Sequence, residues 1–189
     1  MGQHHGDLAL ALIRSTLELI EQGTTSPSLR EVARHAGVSQ AAPYHHFGSR
    51  AGLLAAAATA GFLALDDTLT SVQAPEPKAR LREIVTEYVL FALERWHLYH
   101  TMFDPDLPDD PSLLQAAVQT FERLVEAVAA LDPESSAELH LERARRGWAL
   151  AHGAIALNSG LTQLGAPEDG EDFARDVAEG AVKLALPDR

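Results

Sequence analysis

The segment from Ser28 to Arg50 leaves this chain little choice of fold. Ser28 is a helix-cap residue with Glu31 three positions later, the pairing in which each side chain bonds the other's backbone N–H. The helix it starts must stop at Gly37, where a left-handed backbone carries no side-chain penalty. Ser39 predicts a second start and Gly48-Ser49 a second stop, so two short helices share the connector Gly37-Val38. Ala33 is small enough to let the two helices approach closely, and Val38 can plug the space between them. Upstream, Leu8, Leu12, Ser15, Leu19 and Ile20 lie on one face of a first helix that ends near Gly23.

Helical spacing continues to the end of the chain. A long helix is expected from Arg50 to about Thr70, followed by a linker at Pro75-Glu76-Pro77. Leu81, Ile84, Val85, Tyr88, Phe91, Ala92 and Trp96 give heptad-like spacing from Ala79 to Tyr99. The stretch from Asp104 to Pro111 is rich in Asp and Pro and predicts a loop. Further helices are expected over Ser112–Leu131, Ser135–Leu164 and Asp169–Leu186. In the first of these, Leu114, Val118, Phe121, Val125 and Val128 share one side. In the last, Phe173, Val177, Ala181 and Leu184 face one way. No run alternates with the period of a strand, and no internal repeat is present. The fold class is therefore all-α: a three-helix helix-turn-helix domain over residues 1–53, then a helical domain over 54–189, with about nine helices in total.

Composition narrows the function. Apolar residues make up 46% of the 189 positions, enough for a real core. The absence of cysteine excludes disulfides, thiolate zinc sites and thiol nucleophiles, and fits a reducing cytoplasm. Residues Met1 to Asp7 are polar and do not make a signal peptide. The stretch from Gly147 to Pro167 has no Asp, Glu, Lys or Arg and approaches the length of a membrane span. Its His152, Asn158, Ser159, Thr162 and Gln163 argue instead for a helix buried in the protein or a dimer, so no membrane association is expected. Nor does the chain carry a nucleophile motif, a phosphate loop or a spaced acid–base pair, so no enzyme activity is expected.

A net charge of −12 is unexpected for a protein that would touch DNA. Its distribution resolves the difficulty. Residues 1–55 balance Arg14, Arg30, Arg34 and Arg50 against Asp7, Glu18, Glu21 and Glu31, and the whole excess of acid lies beyond them. A neutral head can dock on DNA while an acidic body repels stray contacts.

Two short helices around Gly37-Val38 have the geometry that places a second helix in the major groove, although tight helical hairpins also occur as plain structural elements. In the DNA-binding reading, Gln40, Ala41, Tyr44 and His45 project outward. Gln40 can bond base edges, and Ala41 or Ala42 can meet a thymine methyl group. The hydroxyls of Ser28 and Tyr44 and the Arg50 guanidinium suit phosphate oxygens. Ser39 and His46 complete the candidate contact set.

The string Ser28-Leu29-Arg30-Glu31-Val32-Ala33-Arg34-His35-Ala36-Gly37-Val38-Ser39, with Tyr44-His45-His46-Phe47-Gly48-Ser49-Arg50 and Leu53-Leu54 after it, resembles the TetR family of bacterial regulators. The resemblance covers about residues 8 to 63. It implies that Tyr44 contacts DNA and that Arg50 takes the place of a phosphate-binding Lys. Arg50 departs from the usual Lys but keeps the phosphate contact. Pro43 also departs, since inside the recognition helix it forfeits a backbone hydrogen bond and predicts a short or irregular first turn.

The same resemblance implies a helical ligand-binding and dimerising body. Trp148-Ala149-Leu150-Ala151-His152-Gly153 is similar to the Trp-x-x-x-His-Gly element of one C-terminal domain type in the family. Four-residue spacing puts Trp148 and His152 on one helix face, as a pocket wall or as core residues. Trp96, Tyr99, His100, Met102 and Phe103 form a second aromatic concentration beside the acidic loop. His97, His100 and His152 lack a carboxylate at metal-ligand spacing, so neither metal nor cofactor is expected. Ala149, Gly153, Ala156 and Gly160 form a stripe of small residues that either packs internally or, with the last helix, meets a second copy across a two-fold axis. The resulting expectation is a ligand-responsive repressor, a homodimer on a palindromic double-stranded operator, with an unknown small-molecule effector. The alternative is a helical small-molecule-binding dimer without DNA-binding activity.

Overall fold

The computed structural model describes residues 3–163 and 170–186, with side chains placed over 7–158 and 170–186. Among the described residues every regular element is an α-helix: α1 (Gln3–Glu21), α2 (Leu29–His35), α3 (Ala42–Phe47), α4 (Arg50–Thr70), α5 (Pro77–Glu94), α6 (Trp96–Met102), α7 (Pro111–Leu131), α8 (Ala137–Gln163) and α9 (Gly170–Ala185). The predicted end of the α8 helix at Leu164 and the start of α9 at Asp169 lie outside the described residues. The chain forms two compact units, one of residues 1–64 and 95–117 and the other of 65–94 and 118–189.

The first unit is built on the apolar faces anticipated from spacing. Leu12 of α1, Leu29 and Val32 of α2 and Leu53 of α4 form its core, with Leu8, Leu19, Ala36, Val38 and Phe47 packed around them. Ala33 is fully buried and Val38 donates its N–H to the Ala33 carbonyl at 3.0 Å, so the short connector folds back directly over the end of α2. Gly61 of α4 abuts α6: a methyl group there would stand 2.8 Å from Met102 Cγ and Sδ.

In the second unit α5 packs against α9 and α8. It buries Leu81, Ile84, Val85, Tyr88, Val89, Phe91 and Ala92. The α9 face is mostly small: Ala174, Val177, Ala178, Ala181, Val182 and Ala185. Small side chains bring helix axes close, and an ion pair between Arg82 and Glu179 borders the α5–α9 contact.

Two expectations change. The helix expected over Ala79–Tyr99 is two helices, because Arg95 leaves the helical basin at φ −119° and ψ 44°. No Gly or Pro marks the break; α5 packs on α9 in one unit, whereas α6 packs on α1 in the other. On α7, Leu114 and Val118 are 67% and 47% exposed, and the buried positions are Ala116, Thr120, Leu124, Ala127 and Val128. The apolar residues of α7 thus cover more of its circumference than its packing uses. Among the described residues, the helix long and apolar enough to cross a membrane is α4. More than half of its most apolar stretch is buried, as in a core helix. Part of Gly147–Pro167 lies outside the described residues.

Candidate nucleic-acid interface and effector groove

The head is set by local bonds. Ser28 N–H donates to Glu31 Oε2 at 2.8 Å and Glu31 N–H to Ser28 Oγ at 3.2 Å, closing the capping box. The Ser28 hydrogen bonds hold the Glu31 carboxyl below its ordinary pKa. Gly37 takes φ +68° and ends α2, as its lack of a side chain allows. His35 on α2 bonds Glu18 on α1 at 2.8 Å, and Arg50 Nη2 donates to the Ser26 carbonyl at 3.0 Å. The first ties α2 to α1, and the second ties the start of α4 to the connector that precedes α2.

Ser39 does not cap α3, contrary to the expectation. The helix begins at Ala42 with Ala41 as its uncapped N-cap residue, and Pro43 sits in its first turn. A first-turn N–H has no intrahelical acceptor, so Pro43 gives up no bond there and its fixed φ favours the start. Ser39, Gln40 and Ala41 consequently lie in an irregular turn before the helix. They are exposed, together with Tyr44, His45 and Arg50, while Ser28 and His46 are half-buried. Ala42 must be removed from the contact set, because it is only 8% exposed. Tyr44, at 51%, is an exposed large hydrophobic side chain on α3.

Beyond the head, the sequence-derived effector residues fall in different units. In the first, Trp96 stacks on Tyr99 at 6.4 Å between ring centroids, Tyr99 meets Phe103 at 4.9 Å, and Phe103 meets the edge of Phe62 at 5.3 Å. His100 lies edge-on to Trp96 at 6.1 Å. Of these, Phe62 and Phe103 line an open groove of about 560 Å³ with Met102, Leu107, Leu113 and Leu114. Asp104, Asp109 and Asp110 also line it. The Asp-Pro composition of the loop and the exposed positions of α7 were visible in the sequence, but their convergence on Phe62 was not.

In the second unit Trp148 and His152 share a face, their rings 5.4 Å apart. Trp148 Nε1 donates to Tyr88 Oη at 3.1 Å, and Phe121 packs edge-on at 6.1 Å. Burial lowers the pKa of the half-buried His152, favouring its neutral form. A polar cluster missed by spacing lies in the same unit: Asp66 of α4 is 6% exposed and accepts Arg123 Nε at 2.8 Å and Gln119 Nε2 at 2.8 Å. The signal for it was a lone pair of acids, Asp66-Asp67, inside an apolar helix. Among the described residues no three His, Asp or Glu side chains are grouped to hold a metal.

Comparison with known proteins is consistent along the chain. Residues 12–57 match the bacterial regulatory proteins of the tetR family, and residues 81–180 match the tetracyclin repressor-like C-terminal domain. No curated relative matches. Among solved structures, the fold is similar to that of a protein of unknown function from Rhodococcus sp. RHA1, 27% identical over 97% of each chain with a TM-score of 0.75. A tetR-family transcriptional regulator from Streptomyces coelicolor is 19% identical, with 97% of this chain and 82% of that one covered and a TM-score of 0.75. PfmR, a TetR family transcriptional regulator from Thermus thermophilus, is 19% identical over 91% of this chain and 97% of its own, with a TM-score of 0.62.

Proposed function

This chain belongs to the TetR family of bacterial transcriptional regulators, a family of DNA-binding proteins and not of enzymes, and from that premise we propose that it is a ligand-responsive repressor. It acts in the cytoplasm as a homodimer on a partly palindromic operator. Residues 1–53 read DNA and residues 54–189 bind the effector and the second subunit. The two α3 helices enter successive major grooves, about 34–36 Å apart. Tyr44 and Arg50 hold phosphates, Gln40 and His45 reach base edges, and Ser28, Ser39, Ala41 and His46 border the contact. The C-terminal domain is of the Trp-x-x-x-His-Gly type, with Trp148 and His152 in its effector-binding face.

The observation that carries this reading is the capped hairpin beneath exposed Tyr44 and Gln40, within a segment that matches the tetR family. An effector releases DNA only by binding the two conformations of the dimer unequally. The second subunit covers Ala149, Leu150, Ala156 and Leu157 of α8, of which Leu157 is 71% exposed. Gly160, the last member of the small-residue stripe, lies outside the residues with described side chains.

Fluorescence anisotropy tests the proposal, using purified protein and DNA from immediately upstream of its own gene, against a scrambled duplex. Specific binding that weakens as salt rises supports it, with log affinity falling by about 0.9 per log salt for each phosphate neutralised. A dimer with no preference in a genome-wide binding selection would support instead the alternative without DNA-binding activity.

A further inference from the structure

We propose that the groove bounded by α4, α6 and the first turns of α7 binds an organic cation with an apolar body, an assignment that rests on the ligand-responsive reading above. The volume, about 560 Å³, suits a small organic molecule. Its walls are the rings of Phe62 and Phe103 and the side chains of Met102, Leu113 and Leu114, which reward an apolar body and offer few hydrogen bonds. The charged side chains that line it are all acidic. Asp104, Asp109 and Asp110 line the groove, Asp106 lies in the same loop, and no Lys or Arg occurs between Arg95 and Arg123.

Two of those carboxylates are held in place. Asp104 Oδ1 accepts the Asp106 N–H at 2.9 Å, and Asp110 Oδ1 accepts the N–H groups of Ser112 and Leu113 at 2.9 and 3.0 Å. Among the described residues no Lys or Arg pairs with Asp104, Asp109 or Asp110. A diffuse positive charge seated on the aromatic walls therefore meets a negative field at the rim, while an anion of the same shape is repelled. A bare metal ion is a poor occupant. Hard cations take six or more oxygen ligands, and no three His, Asp or Glu side chains are grouped for one among the described residues. The groove also has a mechanical connection to the head, because Met102 at the end of α6 and Phe103 just after it line the groove and α6 packs against α1.

The test uses two probes of nearly one shape and opposite charge, tetraphenylphosphonium and tetraphenylborate, titrated into the full chain by calorimetry. The phosphonium is expected to bind at least about tenfold more tightly than the borate at low salt. Leu114→Lys places an ammonium on the groove wall at a 67% exposed position, which leaves the fold undisturbed. It is expected to weaken phosphonium binding about tenfold or more. The pair Asp104→Asn and Asp109→Asn keeps the loop's acceptor atoms and is expected to erase most of the preference between probes. Equal affinity for the two probes, or phosphonium binding unchanged in Leu114→Lys, overturns the assignment. Failure of phosphonium binding in a protein that still binds its operator refutes the groove alone. Phosphonium binding that obeys the variants in a protein without operator affinity supports the groove and refutes the repressor reading.

Discussion

Tyr44 and Asp66 illustrate how differently single residues can matter in this chain. Tyr44 is half-exposed on α3, so its removal costs the fold little. Tyr44→Ala is expected to weaken operator binding about tenfold, the worth of one phosphate hydrogen bond with its packing, while the melting temperature and dimer remain unchanged. Anisotropy beside thermal unfolding checks this; unaltered operator affinity would take Tyr44 off the contact surface. Asp66 is the opposite case. Desolvation alone would raise its pKa, but the bonds from Arg123 and Gln119 outweigh burial and leave it lowered. A carboxyl whose folded pKa lies below its unfolded value stabilises the protein above the unfolded value, about 3.9, and that contribution disappears as pH falls through the folded pKa. Asp66→Asn should therefore cost about 2 kcal/mol at neutral pH, less than a fully buried pair because Arg123 is 26% exposed. The deficit should shrink toward zero in acid. Denaturant unfolding at pH 7 and near pH 3 gives the comparison, and a deficit independent of pH would contradict the ion-pair account.

At the scale of elements, the recognition helix is defined by where it begins. Pro43 reads in sequence as a disruption inside a helix started by Ser39, yet α3 starts three residues later and Pro43 occupies its first turn. No backbone bond is lost by its presence, so Pro43→Ala should change stability by less than about 1 kcal/mol. It should also let the helix extend back toward Gln40. Amide exchange of Gln40 and Ala41, with denaturant unfolding, measures both effects; a large stability gain would mean that Pro43 strains the helix. The hairpin itself was legible because its signals are local: a capping pair, a positive-φ glycine and a plug residue each act within a few positions. The break at Arg95 was not legible, since α5 and α6 separate for the sake of their different packing partners and not because of any breaker residue. The exposed Leu114 and Val118 were similarly hidden, because periodicity ranks residues by apolarity and cannot tell a buried stripe from one that lines an open groove.

For the molecule as a whole, the leucines exposed on α8, on α9 and just after α9 bear on the proposed dimer. Leu150, Leu157, Leu184 and Leu186 are 37%, 71%, 42% and 38% exposed. If a second copy covers them, Leu157→Glu buries two unpaired carboxylates across the two-fold axis. The dimer dissociation constant should then rise by about a hundredfold, with each buried charge costing at least about 1–3 kcal/mol. Sedimentation velocity with circular dichroism checks the prediction: monomers of unchanged helicity are expected, and an undisturbed dimer would place the interface elsewhere. The excess acid beyond residue 55 belongs to this scale too, since it bears on long-range repulsion from DNA and not on the contact made by the head.

Helix content, the capped start of α2, the glycine that ends it and the family resemblance were all determined by the order of residues, because each depends on interactions spanning only a few positions. Which apolar faces are buried, where α5 yields to α6, how Asp66 finds Arg123 and how three helices border a groove beside an acidic loop were decided by tertiary packing. These features join residues dozens of positions apart, and their free energies depend on which surfaces meet, a quantity that no local pattern carries.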